Sequence, residues 1–277
     1  MRRIRSSKAE REKMNIIYEL KGKAKEYAPL AANLYRGCSH GCDYCYAPAC
    51  LRMTKYEFNH PKARPDVLNQ LEKNAKKMAG DSRPVLLCFT CDPYQPLEEE
   101  AQITRRAIEI LGENDMRIRV LTKRPTLAVE RDINILKKYK VEFGVSLSFD
   151  DCEIKTSVFH DPHAWKAWEP KVSSPSCRIK AISMAKRAGL PTWLSIEPVI
   201  IPDQAIKVVQ RTVGFVDHYK IGKLNHHPEI EKKIDWRKFL LNVLIALNVR
   251  KKSYYIKDDL WKFADEEIRK NFAKEKK

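Results

Sequence analysis

Cys38, Cys42 and Cys45 are spaced C-x3-C-x2-C inside the segment Arg36-Gly37-Cys38-Ser39-His40-Gly41-Cys42-Asp43-Tyr44-Cys45-Tyr46-Ala47-Pro48. Thiolates are soft ligands that suit iron–sulfur clusters or zinc. A structural zinc site closes four ligands, usually as two pairs from separate turns. Here three thiols share one short loop, and the next, Cys50, lies beyond Ala47-Pro48, on or near the following helix. Three thiolates on a four-iron cluster leave one iron open to a further ligand. Zinc and unliganded core cysteines are the competing readings. The other cysteines are Cys88, Cys91, Cys152 and Cys177, with none after that. The N-terminus is basic without an apolar segment behind it, so it does not read as a secretory signal. Eight cysteines then argue for metal or thiol chemistry in the cytoplasm rather than for a disulfide framework.

Such a loop must be held by the elements around it. Short apolar runs predict buried strands at residues 32–35, 85–89, 118–122, 141–147, 192–196 and 215–221, the kind of run that parallel strands show. Helical periodicity fills the gaps. Val67, Leu71 and Ala75 share one face, Ile103, Ala107 and Leu111 another that stops at Gly112, and Leu127, Ile133 and Leu136 a third. Pro175 opens a further helix that ends at Gly189, and Asp203 caps a short one. Helices at about 236–247 and 258–272 end the chain. Alternating strand and helix means parallel βαβ units. Six units fit an α/β fold, either a partial (β/α)6 TIM-type barrel or a doubly wound sheet, with functional residues at the C-terminal strand ends. The expected organisation is a basic N-terminal extension over 1–26, a barrel over 27–225, and a segment over 226–277 that completes it.

The cysteine loop resembles the cluster loop of the radical S-adenosylmethionine (SAM) enzymes, including Tyr44 just before the third cysteine. Together with Thr90-Cys91-Asp92-Pro93-Tyr94-Gln95-Pro96, Leu121-Thr122-Lys123 and Val145-Ser146-Leu147-Ser148, it is similar to the spore photoproduct lyase-like branch, over roughly residues 27–202. The resemblance implies the partial barrel, with Cys38, Cys42 and Cys45 on a [4Fe-4S] cluster and S-adenosyl-L-methionine on the open iron. It also implies an external electron donor such as flavodoxin or ferredoxin. Reductive cleavage of SAM would give a 5′-deoxyadenosyl radical that abstracts a substrate hydrogen. Asp92, assisted by Thr90, is the expected partner of the SAM amino group, and Lys123 that of its carboxylate. Ser146 is placed at the methionyl end or the ribose, Tyr46 near the adenine, and Glu197 at the adenine or the substrate. The plain alternatives are that Asp92-Pro93 only starts a turn and that Lys123 is solvated.

The branch returns a hydrogen atom to its product through a cysteine on the second strand, and that position is Phe89 here. The departure puts the lyase reaction itself in question. Cys91 is the candidate donor if it faces the interior. Cys88 is expected to point away from Phe89 on a regular strand and to act as a small hydrophobe. Arg178 matches an arginine of the related enzymes, either as a SAM or substrate contact or in a surface salt bridge. His40 is expected beside a cluster sulfide or SAM, and His226-His227 in a loop at the barrel mouth. Residues 160–170, with Trp165 and Trp168, either stack bases or cover the mouth.

The 277 residues carry 53 Lys and Arg against 36 Asp and Glu, a net charge of +17. The first thirty residues hold nine basic and four acidic side chains, the last twenty-eight ten and six. A spread excess of this kind suits a polyanion, although a solvated basic surface is the plain reading. No run of about 18 uncharged apolar residues occurs, so no membrane span is expected. The sequence therefore reads as a radical SAM enzyme acting on a nucleobase in DNA or RNA, presented as a single strand or a distorted duplex. The alternatives are a radical SAM enzyme for a peptide or small metabolite, and a non-catalytic metal-dependent nucleic-acid-binding module.

Overall fold

The structure is a computed structural model that describes residues 15–151 and 161–276. Its strands in chain order are β1 (Ile17–Glu19), β2 (Leu30–Ala32), β3 (Tyr35–Arg36), β4 (Lys62–Ala63), β5 (Val85–Leu87) and β6 (Ile118–Thr122). They are followed by β7 (Glu142–Ser146), β8 (Thr192–Val199), β9 (His218–Lys223), β10 (Ser253–Ile256) and β11 (Glu275–Lys276). Nine of them form one sheet in the order β1-β2-β5-β6-β7-β8-β9-β10-β11, and β3 pairs with β4 apart from it. Strands β2 and β5 to β10 run parallel, while β1 and β11 are antiparallel at the edges. Short edge strands, the last of them charged, leave little template for a further strand.

The architecture is the expected partial barrel with one strand more. Among the described residues seven strands are parallel rather than six, because β10 joins β9 in register, Ser253 opposite His218 and Ile256 opposite Ile221. The boundary at residue 26 does not hold. Ile17–Glu19 forms the sheet edge on β2, and the short helix Gly22–Glu26 packs back against the barrel, where Glu26 accepts hydrogen bonds from the Tyr255 hydroxyl (3.1 Å) and the Asp258 backbone (3.0 Å). Residues 1–14 lie outside the described residues, as do Cys152 and His160.

Helices Val67–Lys77, Ile103–Glu113, Pro175–Arg187, Pro202–Thr212 and Trp236–Val249 connect the strands and bury the apolar faces their periodicity announced. Gly112 is not a stop. It lies inside its helix, where a Cβ would run into the Tyr139 ring. The segment after β6 breaks in two at Asp132, which is buried and takes Arg105 (2.8 Å) and Arg131 (2.7 Å). Asp203 sits in the first turn rather than at the cap, since its helix starts at Pro202. The terminal segment divides likewise into Asp258–Trp261 and Glu266–Asn271, the second capped by Asp265.

Candidate active site

The C-terminal ends of the parallel strands open on a cavity of about 570 Å³. Cys38, Cys42, Cys45, Tyr46, Thr90, Cys91, Asp92, Lys123, Ser146 and Glu197 all line it. The sequence expectation thus converges on one place, because all of these residues but Glu197, which lies inside β8, follow or end a strand. How the side chains are held is what the strand pattern did not show.

The cysteine loop is locked from beneath. Gly37 has φ +92°, a left-handed conformation that glycine adopts at no steric cost, and a Cβ there would lie 2.5 Å from the Phe58 carbonyl. The Cys38 amide donates to that same carbonyl at 2.8 Å. Gln95 braces the next turn, accepting from the Ser39 amide (3.2 Å) and donating to the Gly37 carbonyl (3.3 Å). On the far side the Asp43 amide bonds the Trp168 carbonyl (2.9 Å), and the Tyr44 hydroxyl donates to Glu169.

The three thiols are neutral when unliganded. Burial pushes all three up, Cys38 with the Asp92 carboxylate beside it and Cys42 to about 12. A positively charged metal centre reverses that preference and deprotonates a coordinating thiol. Among the described residues, no three His, Cys, Asp or Glu side chains converge on a single ion position. Three soft thiols that line one cavity would suit an iron–sulfur cluster, and Cys38, Cys42 and Cys45 would hold it. Cys50 is exposed and does not join them.

Asp92 is buried and fully engaged. It accepts from the Thr122 hydroxyl (2.7 Å), the Tyr94 amide (2.8 Å) and the Lys123 amide (2.7 Å), and His40 Nε2 lies 3.1 Å away. Burial alone would raise its pKa, but His40 and these hydrogen bonds hold it below the usual range. It is therefore the knot that ties the ends of β5 and β6 to the cysteine loop. His40, fixed on its other side to the Lys171 carbonyl (3.1 Å), belongs to the same knot.

Lys123 crosses to Ser146 Oγ at 2.6 Å, with Glu169 Oε1 at 3.7 Å and the Tyr44 ring 5.5 Å from its ammonium. Glu169 is buried, yet Arg178 and Lys123 outweigh burial and keep it ionised. Arg178 is 0 % exposed and spans Glu169 (2.5 Å), the Ser146 carbonyl (2.9 Å) and the Ser173 carbonyl (2.7 Å). It does not line the cavity, nor is it in a surface salt bridge. It is the buried counter-charge that aims Glu169, and through it Lys123.

Strand β5 ends at Leu87, earlier than its apolar run suggested. Cys88 takes φ +62° and the chain turns; Cys88 is buried in the main core, Phe89 packs against the small cluster of Leu20, Ala31 and Leu86, and both residues border the cavity. Cys88 thus sits as the small buried hydrophobe expected of it, on a different cluster from Phe89. Cys91 lies on the same wall, its thiol 3.6 Å from the Tyr35 carbonyl. A hydrogen bond with Cys88, then burial, raises its pKa. Glu197 falls inside β8 at a register shift rather than after it. It accepts from the Tyr27 hydroxyl and from Lys257 at 2.8 and 2.9 Å.

Tyr27 and Lys257 were not anticipated as site residues. Tyr27 precedes the first parallel strand and Lys257 follows the seventh, so only closure of the sheet brings them together. Position at a strand end was the available signal for Lys257. Trp168 packs 6.5 Å from Tyr44 and 5.5 Å from His227, and Trp165 packs on the core; neither lines the cavity. Trp168 covers the cysteine loop. His226 does line the mouth.

The family model of the Radical SAM superfamily matches residues 32–216. The chain belongs to this superfamily, whose members use a [4Fe-4S] cluster and SAM. An uncharacterized protein of Methanocaldococcus jannaschii is 26% identical over 202 residues, 72% of this chain and 71% of its own. An uncharacterized protein of Mycobacterium tuberculosis is 25% identical over 177 residues, 61% of this chain, and the match spans about half (48%) of that relative. Among solved structures, spore photoproduct lyase complexed with dinucleoside spore photoproduct superposes with a TM-score of 0.62 at 15% identity, over 85% of this chain and 78% of that one. Streptococcus suis SuiB bound to S-adenosylmethionine gives 0.58 at 13% identity, over 85% and 52%. At these identities the likeness is one of fold. No helix among the described residues is long and apolar enough to cross a membrane.

Proposed function

We propose that this radical SAM enzyme modifies or repairs a nucleobase in a strand of DNA or RNA, in the manner of the spore photoproduct lyase-like branch. The observation that carries this is the charge of the cavity. Lys23, Lys55, Lys123, Lys223 and Lys257 line it beside two carboxylates, Asp92 and Glu197, while other acids that these lysines pair with, Asp259, Asp43, Glu169 and Glu231, stand outside the lining. These lysines come from well-separated segments, so the excess is a property of the assembled mouth. A mouth of that sign concentrates phosphates around a buried reaction centre. The dinucleoside bound by the structurally similar lyase agrees with it.

The roles follow the geometry. Cys38, Cys42 and Cys45 hold the cluster. Asp92 and Thr90 receive the amino end of SAM, Asp92 chiefly by fixing the His40 loop and the Lys123 backbone. Lys123, steered by Ser146 and Glu169, faces the SAM carboxylate, and Tyr46 packs near the adenine. Glu197, held by Tyr27 and Lys257, orients adenine or base from the opposite wall. When bound, cluster and SAM supply the organic radical that removes a substrate hydrogen. Cys91 then returns one: its S–H bond breaks, a substrate C–H bond forms, and a thiyl radical remains on sulfur. A duplex target must leave its stack to reach this depth.

Anaerobic incubation of the reconstituted enzyme with SAM, dithionite and nucleic acid tests the reading. Mass spectrometry should show 5′-deoxyadenosine together with an altered nucleoside. Deoxyadenosine formed at the same rate with and without DNA or RNA, and every nucleoside unchanged, would refute it.

A further inference from the structure

The paired strands β3 and β4 set Arg36 directly opposite Lys62. Like charges in that position repel and destabilise a strand pair. Both side chains are exposed, and among the described residues neither has an ion-pair partner. Two exposed acids nearby are already committed. Glu57 closes the cap of helix Lys55–Asn59 on Thr54, and Asp43 takes Lys55 at 3.3 Å. Between β3 and β4 that helix carries Tyr56, which is 74 % exposed and stacks on His60 with ring centres 4.2 Å apart. His60 Nδ1 lies 2.7 Å from the Tyr56 carbonyl, which fixes the pair of rings. Lys55 and Asn59 of the same helix line the cavity, and the Cys38–Phe58 hydrogen bond ties it to the cysteine loop.

We propose that this hairpin and helix form the entry track for single-stranded nucleic acid, with Arg36 and Lys62 straddling a backbone phosphate and Tyr56 stacking on a base outside the cavity. The track rests on the nucleic-acid reading above and names where the strand runs. An unneutralised cation pair gains most from an anion placed between its members, and an exposed ring face from a base, whose stacking tolerates any sequence. Because Gly37 clamps the unit to the cysteine loop, the track holds a strand at a fixed distance from the reaction centre. Trp165 and Trp168 take no part, since Trp165 packs on the core and Trp168 covers the cysteine loop.

Fluorescence anisotropy with a labelled oligothymidylate of about ten nucleotides, within the span such sites cover, reads the track directly. Tyr56→Ala should weaken binding by about 5- to 150-fold. The Arg36→Gln/Lys62→Gln double variant should flatten the log–log salt dependence by about 0.7 for each phosphate it no longer neutralises. The charge-preserving Arg36→Lys/Lys62→Arg variant should bind like the wild type, and so should Lys137→Gln on the opposite barrel face. Wild-type binding with a steep salt slope, unchanged by Tyr56→Ala and by the Gln double variant, would overturn the track and leave the nucleic-acid reading standing. No binding by the wild type at any salt would overturn both. Competition by polyglutamate as effective as by unlabelled oligonucleotide, with Tyr56→Ala silent, would assign the surface to an acidic polypeptide instead.

Discussion

Replacing Arg178 by Met isolates the buried pair that aims Lys123. Arg178 is fully buried, and the Glu169 side chain is only 2 % exposed, 2.5 Å from it. The variant leaves Glu169 ionised in the interior with the Tyr44 hydroxyl and, at 3.7 Å, Lys123. Breaking a buried ion pair by removing one partner costs about 3–5 kcal/mol. For a chain of this size about 2–3 °C is lost per kcal/mol, so the melting temperature should fall by roughly 6–15 °C. The cost must depend on pH in a known direction. In the wild type Glu169 is held below its ordinary pKa, so its contribution is present above the unfolded value and is lost as pH falls. Without Arg178, burial dominates and the carboxyl titrates higher, so the protonated form relieves the variant. The gap between wild type and variant should therefore narrow between pH 7 and about pH 4.5, near the unperturbed Glu value. Arg178→Met/Glu169→Leu should recover much of the loss, because removing both charges leaves none unpaired. Differential scanning calorimetry of the three proteins across pH decides the matter. A single variant that melts within about 2 °C of wild type, or a double variant no better than the single, would mean that Glu169 is not aimed by Arg178.

Cys38→Ser, Cys42→Ser or Cys45→Ser should each abolish iron binding in anaerobically purified protein, while Cys50→Ser should not; iron and sulfide assays read this. Gly37→Ala should lower iron retention without touching a ligand, because its Cβ would meet the Phe58 carbonyl at 2.5 Å in a left-handed backbone. Asp92→Ala should lose iron as well as SAM affinity, since it frees four donors around the loop, whereas Lys123→Ala should weaken SAM binding by about tenfold or more with iron intact. Burial, Arg119 and Lys257 push Lys220 down to about 7, so the unfolded chain binds more protons above that pH. Stability should rise from pH 7 toward pH 10 by this group, and Lys220→Met, followed by thermal melts, should remove that part of the rise.

Much of the site was legible because chemistry and chain direction coincide in this fold. Three thiols in one loop declare soft-metal chemistry by spacing alone, and a parallel strand delivers whatever follows it to one face. Thr90-Cys91-Asp92, Lys123 and Ser146 were therefore found where the family resemblance coincides with the ends of apolar runs. The seventh strand was missed because Ser253–Ile256 is short and alternating, with Tyr255 half-exposed, and so lacks the continuous apolar run of a strand buried on both faces. The end of β5 was misplaced because Cys88 and Phe89 are apolar enough to extend the run, whereas Cys88 turns at φ +62°.

What the sequence by itself determined is the three-thiol loop, the parallel α/β architecture and the set of strand ends that gather at one cavity. These depend on residue type, spacing and period, all of which are local. What only the tertiary structure decided is which charges answer one another. Asp92 is used up by the ends of β5 and β6 and by His40, Arg178 is buried against Glu169 instead of facing SAM or solvent, and Glu197 meets Tyr27 and Lys257 from opposite ends of the chain. Hydrogen bonds and ion pairs act over about 3 Å in space and carry no trace of separation along the chain, so no local pattern encodes their partners.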